Sequence, residues 1–96
     1  MSHLTWSTEA LADVSRLSRF LRPKSPNAAR RAVVAIRDGA RLLERFPASG
    51  RPMENMGNPF RELPIGFGDS GYLLYYRVDG DDVTILAVRH AREAGY

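Results

Sequence analysis

The first half of the chain changes from a two-residue to a helical apolar period. His3 to Trp6 (HLTW) alternates polar and apolar residues, which predicts a short strand with Leu4 and Trp6 on one face. After Trp6, two apolar stripes with helical spacing predict two helices. The first stripe consists of Leu11, Val14, Leu17 and Leu21, and the second of Val33, Ile36, Ala40 and Leu43, extended by Ala29 and Ala32.

Polar and proline residues mark where these helices begin and end. Ser7 or Thr8 is expected to cap the first helix, and Pro23 ends it. Ser25 is the expected N-cap of the second helix, with Pro26 at its first position. Because so few residues separate the two helices, we expect an antiparallel helical hairpin.

The second half of the chain predicts strands. Residues 47–59 (PASGRPMENMGNP) are rich in turn formers and predict a loop. A period of two then places Arg61, Leu63, Ile65 and Phe67 on one face of a strand. Pro64 lies within that strand and predicts that it is an edge strand or is bulged. Two further strands, residues 72–78 and 83–89, are joined by an Asp79-Gly80 hairpin.

These elements give the order β-α-α-β-β-β over a single domain, residues 1–96. We expect a two-layer α+β fold in which the helical hairpin packs on a mainly antiparallel four-stranded sheet, with the first strand at an edge. The helix residues expected to face the sheet are Leu11, Val14, Leu17, Val33, Ile36, Ala40 and Leu43. Their expected partners are Leu63, Ile65, Tyr72 or Leu73 (depending on the pleat), Ile85 and Ala87.

Composition excludes several kinds of chemistry. The 96 residues include no cysteine, so disulfides and thiolate catalysis are excluded. With His3 and His90 as the only histidines, we expect no metal site and no cofactor. The chain shows neither a signal peptide pattern nor an apolar run of about 20 residues. We therefore expect a cytoplasmic protein with no membrane contact.

Positive charge is concentrated in the helical region. Residues 16–51 hold ten basic residues and two acids, a balance of +8, whereas the remainder holds four basic residues and nine acids. Such a surface attracts nucleic acid or an acidic protein. The charge alone is explained equally well by a solvated helix face with no binding role. Thirteen of the fourteen basic residues are arginine, which suits bidentate contacts with carboxylate or phosphate.

The last strand ends in a charged and aromatic cluster. Arg89, His90, Arg92 and Tyr96 follow a buried run, and Arg77 is expected close by on the neighbouring strand. Such a set could bind a phosphate and move protons on a ribose hydroxyl. Alternatively, it forms surface ion pairs, which are usual where a strand leaves the sheet. In either case we expect Arg89 and Arg92 to be exposed.

Several short motifs follow one another along nearly the whole chain. The first is W-S-x-x-A-x-x-D, which is Trp6, Ser7, Ala10 and Asp13 in this chain. The others are Arg61-Glu62-Leu63, Ser70-Gly71-Tyr72, Tyr76-Arg77-Val78, Val83-Thr84-Ile85 and Val88-Arg89-His90-Ala91-Arg92. The order and spacing of these motifs resemble those of toxins of the RelE/ParE superfamily, which implies the toxin of a type II toxin–antitoxin pair, neutralised by direct binding of an antitoxin through its C-terminal segment. The +8 charge of the helical region favours an acidic segment in that antitoxin.

The superfamily implies two activities: RelE-like members cut mRNA on the ribosome, and ParE-like members poison DNA gyrase. RelE-like ribonucleases carry a lysine pair whose positions fall near Pro64 and Gly66, or near Arg61 and Leu63 if a gap is allowed. They also carry an arginine where this chain has Leu73. The resemblance therefore favours inhibition of DNA gyrase as the activity. Ribosome-dependent mRNA cleavage is the second alternative, and an inactive antitoxin-binding module is the third.

The two activities imply different site residues. If the chain is a ribonuclease, the candidate catalytic residues are Arg61, Arg92 and Tyr96. If it binds gyrase, the candidate contact residues are Arg77, Arg89, His90, Arg92 and Tyr96, with no catalytic residue.

Overall fold

The computed structural model describes residues 2–93, which form two helices and a five-stranded sheet. The elements are β1 (His3–Trp6), α1 (Thr8–Leu21), α2 (Pro26–Leu42), β2 (Arg51–Pro52), β3 (Phe60–Ile65), β4 (Tyr72–Asp79) and β5 (Asp82–His90). The strand order is β1-β5-β4-β3-β2. β1 runs parallel to β5, and all other neighbouring strands are antiparallel. No helix within residues 2–93 is long and apolar enough to cross a membrane.

The predicted two-layer α+β fold is confirmed, with one additional strand. β2 pairs with Arg61 and Glu62 of β3, where the sequence predicted a loop. A two-residue strand has no periodicity, so the apolar pattern gave no signal for it. β2 leaves the rest of β3 with a partner on one side only, and Pro64 lies in that edge portion as expected.

Both helices begin at the predicted serine caps. The hydroxyl oxygens of Ser7 and Ser25 accept hydrogen bonds from the backbone N–H groups of Ala10 and Ala28. Pro26 occupies the start of α2, where its missing N–H costs nothing. The helices contact each other as the predicted hairpin, and α1 also packs along β5.

The buried face of α1 differs from the prediction in its first turn. Leu11 is 57% exposed, whereas Ala10 is fully buried, so the prediction of Leu11 as a core residue is wrong. The observed face runs through Ala10, Val14, Leu17 and Leu21, which keeps helical spacing. An alanine in the first turn lets the helix lie close to the neighbouring β5, and a pattern weighted towards large apolar residues does not detect it. Ile36 and Ala40 of α2 and its C-cap Leu43 are buried as predicted. Val33, which was also predicted to face the sheet, is only half-buried and lies outside the core cluster.

A β-bulge in β5 reverses which residues face the helices. Tyr76 pairs with Ile85 and Tyr75 pairs with Ala87, so Leu86 is an extra residue in β5. Ile85 faces the helices as predicted, but Ala87 lies on the opposite face together with Tyr75, and Val88 joins the helix-facing core. The prediction that Ala87 faces the helices is therefore wrong, because strict alternation does not include the inserted residue. On β4, Tyr72 rather than Leu73 joins this core.

Candidate functional site

The W-S-x-x-A-x-x-D motif fastens α1 to the edge of β5. β1 covers β5 only as far as Ile85, which leaves the next backbone groups of β5 without a strand partner on that side. The Ser7 hydroxyl donates to the Leu86 carbonyl at 3.1 Å, and the Asp13 carboxylate accepts from the Val88 N–H at 2.9 Å. Ser7 and Asp13 therefore provide hydrogen-bond partners for backbone groups at the open edge of β5, so these two residues of the motif have a structural role.

Arg89 takes part in the same contact between α1 and β5. Its guanidinium is hydrogen-bonded and ion-paired to the Asp13 carboxylate, which also holds the Val88 N–H. The Arg89 side chain is 31% exposed, so the expectation of a freely exposed arginine is wrong at this position. Alternation along a strand cannot show that the partner helix supplies an acid at this point.

A groove lies between the C-terminal half of α1, the turn before β4 and the end of β5. Its volume is about 800 Å³. Leu17, Leu21 and Tyr72 give it an apolar floor. Its rim carries cationic and aromatic side chains, among them Arg16, Phe20, Lys24, His90 and Arg92. This combination suits an amphipathic segment of a partner protein, since such segments bury an apolar face and present charge at the margin.

His90 is held in a fixed orientation at one end of the groove. Its ring makes an edge-to-face contact with Tyr72, with ring centroids 5.7 Å apart. Its Nδ1 accepts a hydrogen bond of 3.1 Å from the backbone N–H of Arg92. The Arg92 side chain is exposed at the groove rim. His90 and Arg92 are therefore brought together as the sequence predicted.

Glu93 completes this end of the groove. Its carboxylate accepts the backbone N–H of His90 at 2.9 Å and two hydrogen bonds from the Arg16 guanidinium at 3.2 and 3.4 Å. The His90 N–H, followed by Arg16, lowers the pKa of Glu93 below its ordinary value. The sequence indicated ion pairing at this strand exit, but nothing in it identified Arg16, which lies 77 positions away, as the partner.

Arg77 lies at the other end of the β4–β5 hairpin. It pairs with Thr84, lies 3.6 Å from the Asp79 carboxylate and contacts the Phe60 ring at 5.8 Å. The prediction that it lies near Arg89 is wrong. A tight hairpin pairs residues at equal distances from the turn, so a residue close to Gly80 pairs near the start of β5 rather than near its end.

Arg61 also lies away from the groove, in a polar cluster that we call the loop clasp: Pro47, Gly50, Arg61 and Tyr76. The Arg61 guanidinium donates to the Gly50 carbonyl at 2.7 Å. The buried Tyr76 hydroxyl donates to the Pro47 carbonyl and accepts from the Gly50 N–H, both at 2.8 Å. Burial raises the pKa of Tyr76, because the phenolate would lose its hydration.

The loop clasp and the groove are separated along the sheet. Arg61 pairs with Tyr76, whereas His90 pairs with Tyr72, four residues earlier on β4. Four residues of strand span about 13 Å. The structure therefore does not bring Arg61 together with Arg92, and Tyr96 lies outside the described residues. Sequence reasoning missed the structural role of Tyr76, since an aromatic residue in a strand indicates only burial.

Comparisons with known proteins agree on toxins of the RelE/ParE superfamily. The model of the family described as "ParE toxin of type II toxin-antitoxin system, parDE" matches residues 4–95. Toxin RelE3 of Caulobacter vibrioides is 37% identical over 94 residues, which cover 97% of this chain and 98% of that protein. Putative toxin Y4kP of Sinorhizobium fredii is 33% identical over 90 residues, which cover 94% of this chain and 88% of that protein.

Two solved structures share the fold. A chain from the chromosomal ParDE toxin–antitoxin system of P. aeruginosa superposes with a TM-score of 0.77 at 22% identity, covering 95% of this chain and 97% of the other. A chain from the RelBE2 toxin–antitoxin complex of Mycobacterium tuberculosis gives 0.66 at 26% identity, covering 93% and 96%. Since the family model spans nearly the whole chain and RelE3 is similar over nearly its full length, this chain belongs to the ParE toxin family of type II toxin–antitoxin systems, within the RelE/ParE superfamily.

Proposed function

We propose that this toxin inhibits DNA gyrase and that a cognate antitoxin neutralises it by direct binding. The family description names ParE, and the ParE-like branch of the superfamily acts on gyrase. The RelBE2 structure is described as a toxin–antitoxin complex, which supports an antitoxin partner for this chain as well.

The observation that carries the gyrase proposal is the position of Arg61. A ribonuclease must gather cations around the phosphate whose charge grows in the transition state. Arg61 instead donates to the Gly50 carbonyl in the loop clasp, separated along the sheet from Arg92. A surface that binds a protein target needs no such convergence, so the arrangement favours binding over phosphoryl transfer.

Ribosome-dependent mRNA cleavage is the second candidate. It is favoured by the names of the Caulobacter relatives, among which RelE3 and RelE1 are 37% and 32% identical to this chain. It requires a catalytic centre built without Arg61.

The proposed antitoxin has an acidic C-terminal segment whose apolar face lies on the groove floor. Lys24 and Arg92 at the rim would contact its carboxylates, since the guanidinium of Arg16 is already paired with Glu93. Because attraction between opposite charges accelerates encounter and is screened by salt, its association rate should fall as salt increases. A rate that does not change with salt would contradict the electrostatic part of this proposal.

The decisive experiment uses purified toxin, gyrase, relaxed plasmid and ATP. We expect loss of supercoiling and accumulation of gyrase-linked cleaved DNA. Arg92→Ala, at the groove rim, should weaken inhibition, whereas Arg77→Ala, an exposed arginine at the opposite end of the hairpin, should not.

The same toxin should be added to a translation reaction with mRNA and ribosomes. Codon-dependent mRNA cleavage with gyrase unaffected would replace the gyrase proposal by the ribonuclease one. Inactivity in both reactions, together with tight antitoxin binding, would identify an inactive binding module.

A further inference from the structure

The outer face of α2 carries a row of arginines that neither the groove nor the loop clasp includes. Arg30, Arg37 and Arg41 are seven and four positions apart, so on an α-helix they point within about 40° of one another. We call these three residues the arginine ridge. It runs for about 16 Å along the helix, and Arg45, exposed in the following turn, extends its charge.

The arginine ridge is exposed and makes no ion pair within residues 2–93. All three side chains are exposed, as is that of Arg45. The six ion pairs of the described residues involve Asp13, Glu62, Asp79, Asp82 and Glu93, and none involves the ridge. Asp38 is rotated by about 100° from Arg37 and by about 60° from Arg41 around the helix, and it forms no ion pair with either of them. Four positive charges at this spacing repel one another, so the ridge is suited to an anionic partner that neutralises them.

We propose that the arginine ridge binds the phosphate backbone of duplex DNA. One strand of B-DNA presents a phosphate about every 3.4 Å along its axis, so a ridge about 16 Å long faces several phosphates at once. The arginine fork matches phosphate oxygens in a bidentate geometry, which explains why arginine rather than lysine serves here. The contact is independent of sequence, because a straight row on the outside of a helix hairpin reaches the backbone alone.

Two other anionic partners fit the ridge less well. Single-stranded nucleic acid is held by several aromatic platforms on which successive bases stack, whereas the ridge has one exposed ring near it, Phe46, which lies beyond its end next to Arg45. An acidic protein is held by apolar anchors surrounded by charge, and Val34 is the only exposed apolar residue between Arg30 and Arg41, with Leu42 and Phe46 exposed beyond the end of the row. The chemistry of the ridge is therefore that of a repeated cation–phosphate contact, as on a DNA backbone.

The proposal is tested with the free full-length chain and a fluorescent 20-base-pair duplex of arbitrary sequence. Since neither gyrase nor antitoxin is present, the result is separate from that of the supercoiling experiment. Anisotropy should report micromolar binding in low salt. With about four phosphates contacted, the affinity should fall on the order of 100-fold between 50 and 200 mM salt.

A matched pair of variants separates the ridge from net charge. Arg37→Glu with Arg41→Glu should abolish most binding, and the residual salt dependence should correspond to about two fewer phosphate contacts. Arg19→Glu with Arg22→Glu changes the net charge equally, at an exposed position of α1 and at its exposed C-cap, and should retain much more affinity. Arg37→Lys with Arg41→Lys keeps the charge but loses the bidentate geometry, so it should bind more weakly than the wild type and more tightly than the glutamate variant. Equal thermal denaturation midpoints of the wild type and the glutamate variant check that the loss of binding does not come from unfolding.

Three outcomes would overturn the proposal. One is the absence of saturable binding at 50 mM salt. Another is equal loss in the α1 and α2 charge-reversal variants, which would mean that net charge alone matters. The third is stronger binding of single-stranded DNA or of poly-glutamate than of the duplex, which would assign the ridge to one of the two partners rejected above.

Discussion

Two polar regions of the domain, the loop clasp on β3 and β4 and the groove at the end of β5, differ in how their side chains are used. In the loop clasp, Arg61 and Tyr76 direct their hydrogen bonds to backbone groups of Pro47 and Gly50, so the partners lie within the domain. At the groove, Arg92 and Lys24 stand on an open rim beside an apolar floor. The comparison teaches that cationic side chains of this domain divide into those whose hydrogen bonds are used within the fold and those that remain exposed, and only the exposed ones are available to a partner.

The hydrophobic core that supports both regions gives the largest expected change in stability, with which the other variants can be compared. Ile36 is 1% exposed, and Ile36→Ala should lower the free energy of unfolding by about 2–5 kcal/mol, because it removes buried methyl groups and leaves a cavity. Val34→Ala, on the exposed face of the same helix, should change it by less than about 0.5 kcal/mol. Urea denaturation measures both, and similar values for the two variants would contradict the assigned face of α2.

At the loop clasp, Tyr76→Phe should cost about 1–3 kcal/mol, because it leaves the buried Gly50 N–H without its acceptor. Tyr72→Phe makes the same chemical change at the groove, where no hydrogen bond of the Tyr72 hydroxyl to residues 2–93 is seen. It should be nearly neutral. Thermal denaturation of both variants tests the contrast between the loop clasp and the groove. An equal loss of stability in the two variants would contradict that contrast.

The two arginines near the end of β5 should separate stability from activity. Arg89→Ala should cost about 1–2 kcal/mol, since it removes the hydrogen-bonded cation of the partly buried Asp13 carboxylate and leaves it only the more distant Arg16, at 4.0 Å. Arg92→Ala should stay within about 0.5 kcal/mol of the wild type while weakening gyrase inhibition. Urea denaturation combined with the supercoiling assay measures both quantities. Equal stability of the two variants would show that Arg89 is as free as Arg92.

The smallest expected effect is the acid response of Glu93. Its pKa is lowered in the folded state, so its contribution to stability is complete above the ordinary value of 4.5 and is lost as pH falls through the lowered value. The stability difference between the wild type and Glu93→Gln should therefore shrink below about pH 4. Urea denaturation at a series of pH values between 7 and 3 measures this, and a constant difference would contradict the pKa shift.

The sequence was sufficient for the architecture because its apolar periods and its serine and proline signals are local. It was insufficient where one residue changed the phase: Ala10 replaced Leu11 in the core, and Leu86 shifted Ala87 to the other face. For the site, it found His90 and Arg92 as neighbours. It could not assign Arg61 to the loop clasp, because the Gly50 carbonyl that this guanidinium contacts has no sequence signature.

The pairing of the first strand with the last also affects how the toxin is made. β1 and α1 are synthesised first, yet Ser7 contacts Leu86, 79 positions later, and β1 has β5 as its strand partner. Closing so long a loop is slow, and it cannot begin until β5 has been translated. We therefore expect nascent chains that stop before β5 to lack the groove and to expose unpaired strand edges, which makes them substrates for aggregation and proteolysis rather than active toxins.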